Sequence, residues 1–322
     1  MDFIDGWFSE LSPDELASEN GKNLGLRDNP WHGQMFSLRV KKVLYHARSK
    51  YQDVLVFESS TYGKVLALDG IIQCSERDEF AYQEMLAHLV LVVGGGDGAI
   101  LREVLKHSTV ESVTLCEIDE MVVDVSKKHL PQMSVAFGDP KCNVIYCNGA
   151  EYIKKHKDEF DVIITDSSDP IGPAKELFGK NYYMLMKEAL KEDGVFSSQG
   201  KCMQSIIFSS INDFFNNLNN ISCPWLDLQL IRGLFKLAKN LFPHVAYAIG
   251  SVPTYPCGQI GYLIGSKNGN HDVTVPLRVL SDSDVRSMNL KYYNSDVHRA
   301  AFVLPQFIKE VVLSFVLYIH VN

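Results

Sequence analysis

The chain has 322 residues, of which 46% are hydrophobic and 22% charged, and its formal net charge is −8. This composition is that of an ordinary globular protein, and the acidic balance argues against nucleic-acid binding, which requires a basic face. Seven scattered cysteines without a CxxC pair predict reduced thiols in a cytoplasmic protein, with neither a disulfide framework nor a metal site. We expect no signal peptide, because the acidic N-terminus lacks a basic region followed by an apolar core, and no membrane span, because no apolar run is long enough.

The first part of the chain is predicted to end in a small antiparallel β domain. Residues 1–35 are expected to be irregular, and short β-rich runs follow at residues 53–58, 64–68 and 71–74. An Asp-Gly pair, Asp69-Gly70, separates the last two runs, and this pair favours a tight hairpin. The sequence therefore predicts a domain over residues 1–78 and a second domain over residues 79–322.

In the second domain, predicted strands alternate with predicted helices. The strands are expected at residues 89–93, 113–116, 144–147, 160–165, 195–198, 245–249 and 259–266. Helices are expected at residues 80–88, 182–190 and 226–241 and directly after the glycine run, with Gly194 after the end of the second. Such alternation predicts an α/β fold, with a mostly parallel sheet covered by helices on both faces.

A glycine-rich turn follows the first of these strands. The run GGGDG at residues 94–98 lets backbone approach a ligand at a helix N-terminus. Glu117 lies twenty residues beyond Asp97, the spacing at which a carboxylate meets a ribose hydroxyl in nucleotide-binding βαβ units. The pattern predicts nucleoside binding; the alternative is a plain βαβ turn with a capping glutamate.

Two carboxylates follow the strand predicted at residues 160–165. Asp166 lies at the strand end and Asp169 precedes Pro170. Ligands of open α/β sheets bind at this end of the strands. The pair suits a cationic substrate or proton removal from an amine, although a helix cap or an Asx-turn uses the same residues.

Five sequence blocks together resemble the spermidine synthases of the polyamine aminopropyltransferase family. They are GGGDG at 94–98, CEID at 116–119, TDSSDPIGPA at 165–174, YPCGQIGY at 255–262 and KYYNSDVHRAAFVLP at 291–305. The resemblance covers about residues 35–203 and 225–307. It implies a Rossmann-like methyltransferase-type domain, usually in a homodimer, that transfers the aminopropyl group of decarboxylated S-adenosylmethionine to putrescine. Spermidine and methylthioadenosine are the implied products, and the sulfonium compound is a co-substrate, so no cofactor is implied.

The resemblance also assigns roles to individual residues. Asp166 is the implied general base. The implied donor-binding residues are Gln52, Gln83, Asp97, Glu117, Asn148 and Gly149, with Gln199 as a less secure addition. The implied putrescine-binding residues are Tyr82, Asp166, Asp169 and Tyr255. Asp97 would attract the aminopropyl ammonium and repel a carboxylate, which favours the decarboxylated donor.

The chain also departs from the family pattern. Asn148 replaces the usual aspartate, Lys201 replaces an acidic residue, and the connection near residue 89 is about ten residues short. Residues 204–224 have no counterpart in the family; this segment is either a gene-model error, which the atypical tail after Phe307 also suggests, or a lid loop. The open functional alternatives are a putrescine N-methyltransferase and a catalytically silent binding or dimerisation variant.

Overall fold

A computed structural model describes residues 5–10, 36–86, 91–167, 172–199, 223–226, 228–276 and 278–313. Asp169, Lys201, residues 87–90 and nearly all of the inserted segment at 204–224 lie outside these ranges. Of the tail, residues 307–313 are described.

The N-terminal sheet has five antiparallel strands in the order β1-β2-β3-β4-β5. They are β1 (Trp7–Ser9), β2 (Ser37–Arg48), β3 (Asp53–Ser59), β4 (Lys64–Leu68) and β5 (Ile71–Ser75). The expectation that residues 1–35 are irregular was wrong for β1, because Phe8 is buried and anchors this strand beside β2. The predicted hairpin forms, with φ angles of 48° at Asp69 and 83° at Gly70.

The second sheet has seven strands in the order β11-β12-β10-β9-β6-β7-β8. These strands are β6 (Leu91–Gly94), β7 (Val113–Glu117), β8 (Cys142–Tyr146), β9 (Phe160–Asp166), β10 (Leu190–Gln199), β11 (His244–Ser251) and β12 (Gln259–Ser266). The five strands from β10 to β8 are parallel, and β12 and β11 add to them in antiparallel fashion. The predicted α/β fold with a mostly parallel sheet is confirmed.

The helices cover this sheet. They are α1 (Glu79–Leu86), α2 (Ala99–Leu105), α3 (Glu120–His129), α4 (Gly149–Ile153), α5 (Lys180–Ala189), α6 (Leu228–Leu241), α7 (Asp282–Ser287), α8 (Ser295–Ala301) and α9 (Gln306–Leu313). Alternate residues of β9 pack into different clusters: Ile163 faces α5 and α6, whereas Val162 and Ile164 face α1 and α2. No helix in the described ranges is long and apolar enough to cross a bilayer.

One helix end differs from the sequence prediction, and another lies outside the described residues. Helix α1 is described as far as Leu86 and β6 from Leu91 onward, so the predicted bounds at residues 88 and 89 fall in the range that the structure does not describe. The sequence predicted that Gly194 follows the end of helix α5, and this prediction was wrong. The glycine lies inside β10, where the pairing with β9 is irregular between Leu190 and Val195, so that this strand starts directly after Ala189.

Buried carboxylates connect the two sheets and the C-terminal segment through hydrogen bonds. Asp78, 4% exposed, accepts hydrogen bonds from the Ser75 hydroxyl at 2.6 Å and from the Thr254 backbone N–H at 2.8 Å. Glu84 on α1 accepts from the backbone N–H groups of residues 291–293 at 2.8–3.2 Å. These contacts hold α1 across one face of the large sheet, with its first half directed at the carboxyl ends of the strands.

Candidate active site

A cavity lies at the carboxyl ends of β6, β7 and β9, between the two sheets. Its walls include every described residue that the resemblance assigned: Gln52, Tyr82, Gln83, Asp97, Glu117, Asn148, Gly149, Asp166, Gln199 and Tyr255. No Lys or Arg is among the described residues that line it. The position of Asp169 is not described. The cavity therefore has an acidic lining suited to cations.

Asp166 ends β9, and its side chain is oriented by Tyr82. The Tyr82 hydroxyl donates to Asp166 Oδ1 at 2.6 Å. Burial, and then the Asp166 charge, raise the pKa of Tyr82 far above its usual range. The hydroxyl therefore stays protonated and acts as the hydrogen-bond donor. The other carboxylate oxygen, Oδ2, lies against Gly95 in the glycine turn. Asp166 thus presents an acceptor towards that turn.

Aromatic rings pack around Tyr82, the partner of Asp166. Tyr255 packs edge-on against Tyr82 with ring centroids 5.6 Å apart, and Tyr262 stacks on Tyr82 at 6.0 Å. The Tyr255 hydroxyl donates to the backbone oxygen of Gln73 at 2.8 Å, which fixes its ring relative to β5. Ring faces and a carboxylate together favour an organic cation.

The glycine turn lies beside Asp166 because β6 and β9 are parallel neighbours. Gly94 pairs with Asp166, has a φ of 82°, and a Cβ at this position would collide with the Asp166 carbonyl oxygen. Only glycine fits here without displacing the strand. Asp97 follows, 8% exposed, and accepts from the Ala99 N–H at 2.8 Å at the start of α2. Burial raises the pKa of this carboxyl group.

Glu117 ends β7, on the other side of the glycine turn. Its Oε1 accepts from the backbone N–H groups of Ile118 at 2.8 Å and Asp119 at 2.9 Å. Burial raises the pKa of Glu117 from 4.5 to about 7, against the lowering effect of these hydrogen bonds. The carboxyl group is held in one orientation against the cavity, and its charge changes near neutral pH.

Two glutamines close the cavity. Gln52, from the turn before β3, donates to Asp119 Oδ2 at 3.0 Å and so connects the N-terminal sheet to α3. Gln83 is 1% exposed, and its Oε1 has no hydrogen-bond partner among the described residues. A buried amide oxygen without a donor costs about 1–3 kcal/mol, which a ligand N–H or O–H would offset.

Asn148 is the N-cap of α4. Its Oδ1 accepts from the N–H groups of Ala150 at 2.9 Å and Glu151 at 3.3 Å, and its Nδ2 donates to Glu176 at 3.0 Å. Sequence reasoning considered this side chain as a ligand contact and did not foresee the cap.

Sequence reasoning also missed Asp119, which lies two residues after Glu117 and accepts from the Ser49 hydroxyl at 2.6 Å as well as from Gln52. The Asp-Glu pair that begins α3 was the available signal.

These features define a class. The protein is a Rossmann-like transferase whose glycine turn and buried Glu117 suit a nucleoside, and whose Asp166 carboxylate and tyrosines suit an amine. Residues 79–275 match the family model of the spermine/spermidine synthase domain, and residues 27–76 match that of the spermidine synthase tetramerisation domain.

Comparison with individual proteins gives the same family. A spermidine synthase of Schizosaccharomyces pombe is 46% identical over 318 residues, which is 96% of this chain and 94% of that protein. A spermine synthase of Arabidopsis thaliana is 42% identical over 97% of this chain and 85% of that protein. A crystal structure of spermidine synthase in complex with the transition-state analogue AdoDATO is 38% identical, with a TM-score of 0.74, and covers 87% of this chain and 91% of that chain. The chain belongs to the spermine/spermidine synthase family of aminopropyltransferases.

Proposed function

We propose that this chain transfers the aminopropyl group of decarboxylated S-adenosylmethionine to putrescine, with Asp166 as the general base. The observation that carries the proposal is the pairing of Asp166 with Tyr82 in the cavity that Glu117 and Asp97 also line. The putrescine nitrogen attacks the aminopropyl methylene carbon that is bonded to the sulfonium sulfur. The bond between that carbon and the sulfur breaks, and neutral methylthioadenosine leaves. The nitrogen loses its proton to the Asp166 carboxylate.

The donor is proposed to lie across the tips of β6 and β7. Glu117 accepts the ribose hydroxyls, Asp97 holds the aminopropyl ammonium, and Gln52, Gln83, Asn148 and Gly149 complete its surroundings. Asp97 disfavours a donor that retains its carboxylate, since the two negative charges would repel each other in a buried site. Tyr82, Asp169 and Tyr255 are proposed to hold putrescine. Proximity of the two bound reactants supplies much of the rate.

Incubation with decarboxylated S-adenosylmethionine and putrescine should yield methylthioadenosine and spermidine in equal amounts. Asp166→Asn keeps the size of the side chain but cannot accept the proton, so turnover should fall by about 10²-fold or more. Folded protein that binds methylthioadenosine without turnover would refute the proposal in favour of a silent variant. Methylation of putrescine with S-adenosylmethionine would favour an N-methyltransferase. Spermidine as a second acceptor tests the acceptor range, since a spermidine synthase and a spermine synthase each align over nearly the whole chain.

We further propose a cytoplasmic homodimer with domains at 1–78 and 79–322. The match to a tetramerisation domain supports self-association, and Trp7 on β1 and Val43 on β2 expose 42% and 39% of their surface on the N-terminal sheet. Light scattering after size exclusion distinguishes dimer from tetramer, and a monomer at micromolar concentration would contradict the proposal. Limited proteolysis near residue 78 tests the domain division. Fractionation of cells tests the location.

A further inference from the structure

Two cysteine thiols meet at the nucleoside end of the cavity. Cys116 lies near the end of β7 and Cys147 directly follows β8, and their Sγ atoms are 3.0 Å apart. Both residues line the cavity, and both are free thiols. The contact joins the residue before Glu117 to the residue before Asn148.

The backbone holds the two thiols together. Cys116 pairs with Ile145 in the parallel ladder, and the Cys147 N–H donates to the Glu117 carbonyl oxygen at 2.9 Å. The Cys116 thiol also contacts the Cys147 carbonyl oxygen at 3.5 Å. A disulfide bond is about 2.05 Å long, so the two sulfur atoms need to approach each other by about 1 Å.

We propose that Cys116 and Cys147 form an intramolecular disulfide when the cavity is empty, and that this bond weakens nucleoside binding. The oxidant is a low-molecular-weight disulfide, RSSR. The Cys147 thiolate attacks one sulfur of RSSR, giving a Cys147–SR mixed disulfide and RSH. Cys116 then attacks the Cys147 sulfur and releases the second RSH. Two protein thiols are oxidised, and one RSSR is reduced to two RSH.

The order of attack follows from exposure. Cys116 is 1% exposed, and burial together with its contact to Cys147 raises the pKa of its thiol. Cys147 is half-buried at the cavity wall, where a small oxidant can reach it. Cys147 therefore reacts first, and Cys116 resolves the mixed disulfide in a slower step.

The disulfide would change the nucleoside end of the cavity. It draws together the tips of β7 and β8, which carry Glu117 and Asn148. Gly149 packs so closely against Val93 that a Cβ at this position would collide with the valine side chain, so this wall has little room to adjust. A displacement near 1 Å can lower the efficiency of a site by about 10²-fold. This effect on binding rests on the proposed function; the formation of the disulfide does not.

Treatment of the full chain with oxidised glutathione tests the proposal. Intact mass should fall by about 2 Da per disulfide formed, peptide mapping should link Cys116 to Cys147, and dithiothreitol should reverse the change. The Kd for methylthioadenosine should rise by about tenfold or more on oxidation, and prior saturation with methylthioadenosine should slow the reaction. Cys147→Ala should prevent the link, whereas the matched control Cys142→Ala, at the start of β8, should not.

Each other result overturns part or all of the proposal. A stable mixed disulfide at Cys147, or links that involve other cysteines alone, would show that the pair does not close. A mapped disulfide with unchanged nucleoside affinity would remove its effect on the site. Reduced protein that fails to bind methylthioadenosine would refute the proposed function, and the mapped link would still test the thiol pair.

Discussion

Nucleoside binding should depend on pH through Glu117. Glu117 is 7% exposed, and burial raises the pKa of its carboxyl group from 4.5 to about 7. An ionised carboxylate accepts hydrogen bonds from ribose hydroxyls, whereas the neutral acid has lost half of that capacity and its charge. Under the proposed function the ionised form is the one that binds, so affinity should increase as pH rises through 7.

The size of the effect follows from the pKa. With a pKa of about 7, roughly one Glu117 in eleven is ionised at pH 6 and roughly ten in eleven at pH 8. The affinity for methylthioadenosine should therefore rise about tenfold between these two values. This ligand is uncharged and lacks the aminopropyl group, so the charges of Asp97 and Asp166 contribute little to the difference.

Calorimetric titration at pH 6, 7 and 8 measures the slope, and Glu117→Gln is the matched control. The amide has the same size and still accepts a hydrogen bond, but it does not titrate, so its affinity should be weaker at pH 8 and flat over the range. A flat profile for the unmodified protein would refute the reasoning. So would a slope that survives in Glu117→Gln, because another group would then be responsible.

The same group should affect stability, with a sign that can be worked out. The pKa of Glu117 is higher in the folded protein than in the unfolded chain, so the folded state binds more protons between about pH 4.5 and 7. The free energy of unfolding should therefore fall as pH rises through this window, by about 3 kcal/mol from this group if it stays buried. Denaturant titrations of the protein and of Glu117→Gln at pH 5 and 7.5 give the difference. Equal pH dependence in both would contradict the assignment.

Two substitutions on α1 separate chemistry from stability. Tyr82→Phe removes the hydroxyl that donates to Asp166 at 2.6 Å. Because hydrogen bonds to charged groups contribute about 1.5–3 kcal/mol, turnover should fall roughly 10- to 150-fold, with the affinity for methylthioadenosine unchanged. An equal loss of nucleoside binding would contradict a role at Asp166. Glu84→Gln weakens the acceptor for the N–H groups of residues 291–293, so the free energy of unfolding should fall by about 2 kcal/mol, whereas the exposed control Glu151→Gln should change it little.

The large sheet could be predicted because each of its strands is short, apolar and bounded by polar residues. Gly94 and Asp166 were separate motifs in the sequence, and the parallel pairing of β6 with β9 brings them together. That strand order follows from packing across both faces of the sheet, which periodicity does not encode. Gly194 shows the opposite case, because its helix-ending pattern was overridden by strand pairing within β10.

Contacts between distant segments could not be predicted. Nothing in the sequence near Glu84 indicates that it holds residues 291–293, and the Cys116–Cys147 contact depends on the register of β7 and β8. Residues 7–9 have too short an apolar pattern to predict a strand, and their pairing with β2 depends on the burial of Phe8. Local motifs thus predicted which residues line the cavity, while tertiary packing decided how they are oriented.

Asn148 is a residue whose predicted role is changed by its local structure. The family resemblance assigns Asn148 to donor binding, yet its Oδ1 already accepts two backbone N–H groups at the start of α4. An amide oxygen has two lone pairs, so this atom has little remaining capacity for an adenine amino group. Its Nδ2 is a donor and is directed at Glu176, 3.0 Å away.

Asn148→Asp replaces that donor with an acceptor and retains the helix cap. Under the proposed function, methylthioadenosine should bind about tenfold more tightly, because hydrogen bonds to charged groups contribute about 1.5–3 kcal/mol and repulsion from the Glu176 carboxylate removes part of the gain. The variant Asn148→Asp with Glu176→Gln removes the repulsion and should bind more tightly still. Weaker binding by both variants, measured by calorimetry at pH 8, would show that Asn148 serves α4 and not the nucleoside.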